Sequence, residues 1–459
     1  MRKMNKAIFL SAGVFALTLS SCETDDLYIE DFLNNTNGHA DGDADGDADA
    51  DADGDADTDA DGDADTDADT DADSDTDGDG GFFGVDLLMV VDNSASMAEE
   101  QSILATSLYN LINALVSPTS SSPYAPVENV RVAVVSSDMG LQYGESGLTS
   151  DSSDLPTCYS TGDDGRFQTD LLQSVTIASN VISCDPDGEQ CPNADWTCEA
   201  GLCKAPGGAQ NAVVGCAPLA TVPWAETTES VPNRYLVNNV SCMAELGTGG
   251  CGIEQQLQAG VKAVTRPDQS AFLKEDHLLS VIVVSDEEDC SIADSGLFQT
   301  PEWNDNRYLN TACNFPESNE TNYLFNADYF HDKLVEAKGG RSDAVVFAAI
   351  VGVPSIDATC QGNGNQIGGC IADPAMQLVP QEFHDDLNDV NYTHFSPACT
   401  RVDSTGTPVT TARPGRRFVE TAQQFGSEGY VFSICNADWS PAMAAVSSAI
   451  VQRILPAAK

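Results

Sequence analysis

An aspartate and two serines alternate along Asp92-Asn93-Ser94-Ala95-Ser96-Met97, directly after the apolar run VDLLMVV at Val85 to Val91. One carboxylate and two hydroxyls at every second residue of a loop make an all-oxygen donor set. Such donors suit a hard divalent cation such as Mg²⁺ or Mn²⁺, the former wanting octahedral oxygen ligands at about 2.0 to 2.1 Å and tending to retain waters. Hydroxyls supply oxygen without charge, so an ion held this way stays electrophilic enough to accept an oxygen from another molecule. Other chemistry has little support. The five histidines, His39, His277, His331, His384 and His394, show no H-E-x-x-H spacing, and no G-x-S-x-G nucleophile elbow occurs.

Positioning that loop takes a buried strand before it and a helix after it, and the chain beyond residue 80 repeats this alternation. Val85 to Val91, Val130 to Val135, Leu278 to Val284, Ala344 to Val351 and Tyr430 to Ile434 are short continuous apolar runs rich in Val and Ile. Runs of this kind suit strands buried on both faces of a parallel sheet. Between them, Ala98 to Leu115, Ile253 to Val264, Asn326 to Ala337 and Phe418 to Phe425 read as helices, with Pro441 to Leu455 after the last strand. The order predicts an α/β fold with a doubly wound, mostly parallel sheet over residues 81–456. Three stretches break the rhythm: about 141–240, 291–321 and 354–416, rich in Asn, Asp, Ser, Gly, Pro and Cys. They read as disulfide-rich loop insertions.

A D-x-S-x-S loop between a buried first strand and a helix resembles the metal-ion-dependent adhesion site of von Willebrand factor A-like domains. The resemblance runs over about residues 84–456, interrupted by the insertions. It implies two further ligands: a threonine on a loop ahead of a helix, here Thr248 in GTGGCGIEQQLQAG, and an aspartate after the fourth strand, here Asp286 in VIVVSDEEDCS. In a doubly wound sheet, ligands bind beyond the carboxyl ends of strands where the strand order reverses, so Asp92 and Asp286 would converge if strands one and four flank that point. Two carboxylates then roughly balance the ion. The sequence departs from the family pattern in having Ala95 where the family often has Gly, and in following Asp286 with Glu287, Glu288 and Asp289. Extra acids weaken the ion's pull on an acidic ligand or recruit Ca²⁺ instead. Asp138, in VVSSDMG, ends a neighbouring strand and is either a reserve ligand or a solvated loop acid, with the second favoured. Haloacid dehalogenase-type phosphotransferases also place an aspartate after strand one but want a second two residues on, where this chain has Ser94.

The amino end has the build of a secretory signal: Arg2, Lys3 and Lys6 precede an apolar run over Ala7 to Leu19. That run is short of the about 20 residues that span a bilayer, and it ends in Leu19-Ser20-Ser21-Cys22, which resembles the lipobox of bacterial lipoproteins. The resemblance implies cleavage after residue 21 and a lipid-bearing Cys22. Residues 23–80 then form an acidic tether. From Asp41 to Gly80 every odd residue is Asp, giving 20 aspartates without a basic residue, and these contribute to a net charge of −52. With nothing apolar to bury, the segment is expected to stay disordered. The D-x-D-x-D-G pattern at Asp41 to Gly46 mimics a calcium loop, but position 12 never carries the required Glu. A charge this negative also argues against nucleic acid as a partner.

Of the 15 cysteines, 14 remain after Cys22, an even number suited to pairing in an oxidising compartment. Cys184, Cys191, Cys198 and Cys203 lack paired C-x-x-C spacing, which favours a stapled loop over zinc. Near neighbours are the favoured pairs, with Cys158 and Cys216 bracketing that cluster and Cys360 closing on Cys370.

The expectation is therefore a non-enzymatic, metal-dependent ligand-binding or adhesion module. It would be lipid-anchored in a bacterial cell envelope, at the outer membrane or cell surface, and would take an extracytoplasmic protein or glycan ligand through an acidic group. The competing readings are a structural envelope protein with a metal-free sheet domain and, behind it, an exported hydrolase. Replacing Cys22 by Ala should move the protein out of the detergent-soluble membrane fraction or leave it unprocessed; a variant that fractionates and migrates like the parent would refute the anchor.

Overall fold

The computed structural model describes residues 81–454 with short interruptions, the longest at 316–322. The signal-like segment, Cys22 and the acidic stretch lie outside the described residues.

The apolar runs become strands because only a pairing partner on each edge and a helix on each face can satisfy them. A seven-stranded sheet is built from β1 (Gly84–Val91), β2 (Val130–Ser136), β3 (Ala225–Glu226), β4 (His277–Val284), β5 (Val345–Val351), β6 (Gly362–Asn363) and β7 (Gly429–Ser433). Their spatial order is β6-β7-β5-β4-β1-β2-β3. The five central strands are parallel, and the two-residue strands β3 and β6 close the edges antiparallel. All eight residues of β1 are buried, as are all eight of β4. These two strands pair in full register, from Gly84 opposite His277 to Val91 opposite Val284.

Six α-helices lie among the described residues: α1 (Ala98–Val116), α2 (Asn233–Met243), α3 (Gln256–Thr265), α4 (Ala327–Ala337), α5 (Arg416–Gln424) and α6 (Ser440–Val451). The pleat of β1 divides them. Leu87, Met89 and Val91 enter one core with Leu104 and Leu108 of α1, Val240 of α2 and Ile450 of α6. Leu88 and Val90 enter a second core with Leu257 and Val261 of α3, Phe330 of α4 and Phe418 of α5. Successive side chains of a strand point to opposite faces, so each layer of helices is matched to one parity of β1. The amino end of β1 is tied to the last helix, where Phe82 N–H donates to the Arg453 carbonyl at 2.9 Å and Phe82 bridges Ile454.

Two departures from expectation have local causes. The stretch expected to be insertion as far as residue 240 returns to the framework at β3, and α2 packs beside α1. A two-residue strand gives no periodicity to read, and the many Asn and Ser of NRYLVNNVSCM blur the apolar stripe of α2. The helix expected from Ile253 begins instead at Gln256, because the Asp289 carboxylate accepts from Leu257 N–H at 3.0 Å and Cys290 N–H donates to the Glu254 carbonyl at 2.8 Å.

Seven disulfides join Cys158–Cys251, Cys184–Cys198, Cys191–Cys203, Cys216–Cys242, Cys290–Cys313, Cys360–Cys370 and Cys399–Cys435. Cys360 closes on Cys370 as expected, but Cys158 and Cys216 do not pair with each other. Cys158 reaches instead to the loop ahead of α3, and Cys216 to α2, so both tie the inserted segment to the framework. Closing 93 residues, Cys158–Cys251 removes more unfolded-chain freedom than any of the shorter loops. Peptide mapping of the unreduced protein should recover Cys158 linked to Cys251. Changing both to Ala should lower stability by about 2 to 5 kcal/mol in calorimetry, and recovery of a Cys158–Cys216 peptide would contradict the arrangement.

Candidate functional site

Asp92 is the first residue beyond β1, and its N–H still donates to Val284 at the end of β4, at 3.0 Å. Its carboxylate is fully buried. One oxygen accepts from Ser94 N–H at 2.8 Å and from the Ser137 hydroxyl at 3.3 Å, and the other from the Ser285 hydroxyl at 2.6 Å. Three loops, after β1, β2 and β4, thus converge on one side chain. The Ser94 and Ser96 hydroxyls lie 3.2 Å apart, and the Ser96 hydroxyl donates to Asp286 Oδ1 at 3.1 Å. Asp92, Ser94, Ser96 and Asp286 therefore form one hydrogen-bonded group at the carboxyl ends of the two strands where the sheet order changes direction.

Thr248 is not joined to that group. It is exposed, on the loop between α2 and α3, and its hydroxyl has no hydrogen-bond partner among the described residues. Its loop is nevertheless held beside the site. The Gln101 amide donates to the carbonyls of both Asp92 and Gly247 at 2.9 Å and accepts from Gly247 N–H at 3.1 Å. Gly250 N–H donates to the Asn93 carbonyl at 2.9 Å. A Cβ at Gly250 would stand 2.1 Å from Asn93 Oδ1, so a larger residue there would require the Asn93 side chain to shift.

The site opens into a cleft of about 480 Å³ whose lining includes Glu100, Glu254, Asp286, Glu287 and Glu288. Burial is the main cause that lifts their carboxyls, with mutual repulsion adding to it for most. Asp92 is raised despite its Ser285 and Ser94 bonds. Glu254 and Asp286 are raised well above the usual range, by burial first and then by neighbouring acids. Glu287 is pushed up to about 7 by burial against the pull of Arg413.

The acids that follow Asp286 have different tasks. Glu288 accepts the N–H groups of Arg416 and Arg417 at 2.7 and 3.1 Å, which caps the amino end of α5. Asp289 accepts from Leu257 N–H and from both Ser291 N–H and its hydroxyl, which holds the start of α3. Of the three, Glu287 is the one that neither helix start engages, and it lines the cleft. Asp138 takes Gly140 N–H at 2.9 Å and shapes a turn against Gly162, with no place in the cleft lining.

These donors fit a hard divalent ion: every candidate is a carboxylate or hydroxyl oxygen, and Asp92, Glu254, Asp286 and Glu287 bring more negative charge than Arg413 offsets. Among the described residues, soft-metal chemistry has no such basis. Cys184, Cys191 and Cys203 have sulfurs within 4.8 Å of one another, but all three are spent in disulfides. Gln101, Ser137, Ser285 and Glu254 escaped the sequence reading. Ser285 could have been found, since it directly precedes Asp286, whereas Gln101 and Glu254 sit in ordinary polar runs.

No family model and no curated protein matches this chain. Among solved structures, the pilus adhesin RrgA from Streptococcus pneumoniae aligns at 15% identity and TM-score 0.19, covering 46% of this chain and 21% of its own. The human COPII-coat protein Sec24c aligns at 10% identity and TM-score 0.23, covering 58% of this chain and 26% of its own. The chain thus spans about a fifth and a quarter of those two proteins. Likenesses this slight carry no argument about fold or function.

The raised carboxyls fix the sign of a pH effect. A carboxyl whose folded pKa exceeds its unfolded value keeps a proton that the unfolded chain has already released, so stability falls as pH rises between the two values. For Glu287 that window runs from 4.5 to about 7. Melting temperature measured in chelator should therefore fall as pH is raised through this window, and Glu287→Gln should flatten the fall. A melting temperature that climbs with pH there would contradict the buried acid cluster.

Proposed function

We propose that this chain is a von Willebrand factor A-like binding module of a bacterial envelope, lipid-anchored through Cys22 and carried on the acidic tether. The observation that carries the reading is the Asp92–Ser94–Ser96–Asp286 group, set where the order of a mostly parallel sheet reverses and bordered by an acid-rich cleft. On this reading the sheet is doubly wound, and the site takes Mg²⁺ or Mn²⁺, with Ca²⁺ as the alternative that the extra acids favour. Asp92 and Asp286 would hold the ion by charge and Ser94 and Ser96 by neutral oxygen. Once bound, such an ion supplies Lewis acidity toward an oxygen of the ligand. Thr248, exposed at the rim with a free hydroxyl, would join when a ligand arrives. The ligand itself is an extracytoplasmic protein or glycan that presents an acidic group.

Several features of the chain serve that task directly. Ser285 and Ser137 hold Asp92 in one orientation, and Gln101 fixes the Thr248 loop to the same backbone segment. Glu287 works against an acidic ligand and in favour of the cation, so binding of the two should be strongly linked.

A cation bound only by the folded form must stabilise it, by roughly 2.7 kcal/mol at about 100 times its dissociation constant. Calorimetry on the disulfide-intact protein should show a melting shift with Mg²⁺ or Mn²⁺. Asp92→Ala should abolish the shift and Ser94→Ala should reduce it less, because water replaces a neutral ligand more readily than a charged one. Absence of any metal-dependent shift in the parent, with partner capture from envelope material persisting in chelator, would leave a metal-free module.

A further inference from the structure

We propose that Arg413 and His394 form a carboxylate subsite in the same cleft, and that they select the acidic group of the ligand; the inference deepens the cation-dependent reading and rests on it. Both side chains line the cleft together with Ser94, Ser96 and Asp286. Both come from the 354–416 stretch, which lies outside the repeating strand–helix order, so the partner-selecting wall belongs to an insertion rather than to the sheet.

Arg413 is held rigidly at the base of that wall. Its N–H donates to the Asp286 carbonyl at 2.8 Å, joining it to the loop that bears the site. Gly352 passes so close that a Cβ there would stand 1.7 Å from the Arg413 carbonyl oxygen, and Gly415 N–H donates to the Gly352 carbonyl at 2.8 Å. The guanidinium gives one N–H to the Phe395 carbonyl at 2.7 Å. Its Nε is buried without a partner.

His394 is arranged in the same way. It lies in the strand Val390–Phe395, and its Nε2 is 3.0 Å from the Asn310 amide nitrogen. An amide nitrogen donates, so Nε2 accepts and the ring proton sits on Nδ1. That Nδ1 is also buried without a partner. A folded chain rarely leaves a buried donor unmet, and two in one cleft point to an acceptor that arrives from outside.

An acceptor-only anion can take an arginine Nε–H and an imidazole N–H together, and a planar carboxylate matches the guanidinium edge. Glu100, Glu254 and Glu287 repel such a group, so the cation beside Asp92 and Asp286 is needed before it can enter. Cation and subsite thus act as one gate. The insertion decides which carboxylate passes.

The test uses the full chain in detergent, with Mg²⁺, and two probes: the blocked tripeptide Gly-Glu-Gly and its Gly-Gln-Gly counterpart, followed by saturation-transfer NMR. The Glu peptide should bind and the Gln peptide should bind about tenfold or more weakly, a single charge-assisted contact being worth about that much. Arg413→Lys, which keeps the charge but loses the fork, should weaken the Glu peptide about tenfold, as should His394→Leu. His394→Asn, which returns an N–H near the place of Nδ1, should recover much of the loss. The Mg²⁺ melting shift is recorded on every variant, so that loss of the cation is told apart from loss of the subsite. Equal binding of the two peptides, or parent-like affinity in Arg413→Lys and His394→Leu, overturns the subsite while a melting shift in the parent keeps the cation. No melting shift in the parent overturns the cation reading, and the gate that rests on it falls with it.

Discussion

The full-register parallel pairing of β1 with β4 is the constraint on which the site depends. Val91 lies opposite Val284, so the residues that follow, Asp92 on one strand and Ser285 and Asp286 on the other, leave the sheet side by side. A slip of one residue would send each strand's side chains to the opposite face and unmake both cores at once. The hydrophobic effect that fixes the register therefore also brings two carboxylates together, and the local hydroxyls only refine what that burial imposes.

Bringing acids together in a dry place has a cost, which the surrounding chain offsets unevenly. Glu288 and Asp289 are absorbed by helix amides, which supply N–H groups where negative charge is favoured. Glu100 is half-met, with one oxygen accepting from Thr410 at 2.6 Å and the other buried without a partner. Asp92 is surrounded by hydroxyls, while Glu287 has the charge of Arg413 nearby and Glu254 has chiefly other acids around it.

Much of the framework was legible because each central strand is a continuous apolar run and each major helix follows one. The five runs and five helices read from sequence correspond to β1, β2, β4, β5 and β7 and to all the helices except α2. The edge strands were not legible, since two residues at an edge carry no pattern. In the candidate site, Asp92, Ser94 and Ser96 stood out through their spacing, and Asp286 through its place after a strand. Arg413 and His394 did not, because an insertion has no periodic frame from which to infer where a side chain will lie. Cys360 and Cys370 were legible as close neighbours, whereas the partner of Cys158 was not, because Cys158 and Cys251 are distant in sequence and meet only through the fold.

The entry of the chain into β1 also sets how the domain would bear a load. Gly84 and the Phe82–Ile454 bridge stand at one end of the strand and Asp92 at the other, about 26 Å away for eight residues of strand. A pull between a ligand at Asp92 and the preceding chain would run along the strand axis, parallel to neighbours on both sides. The hydrogen bonds to β2 and β4 would then be loaded together in shear rather than opened one after another as in a zipper. Tension along that axis would meet the strongest direction of the sheet.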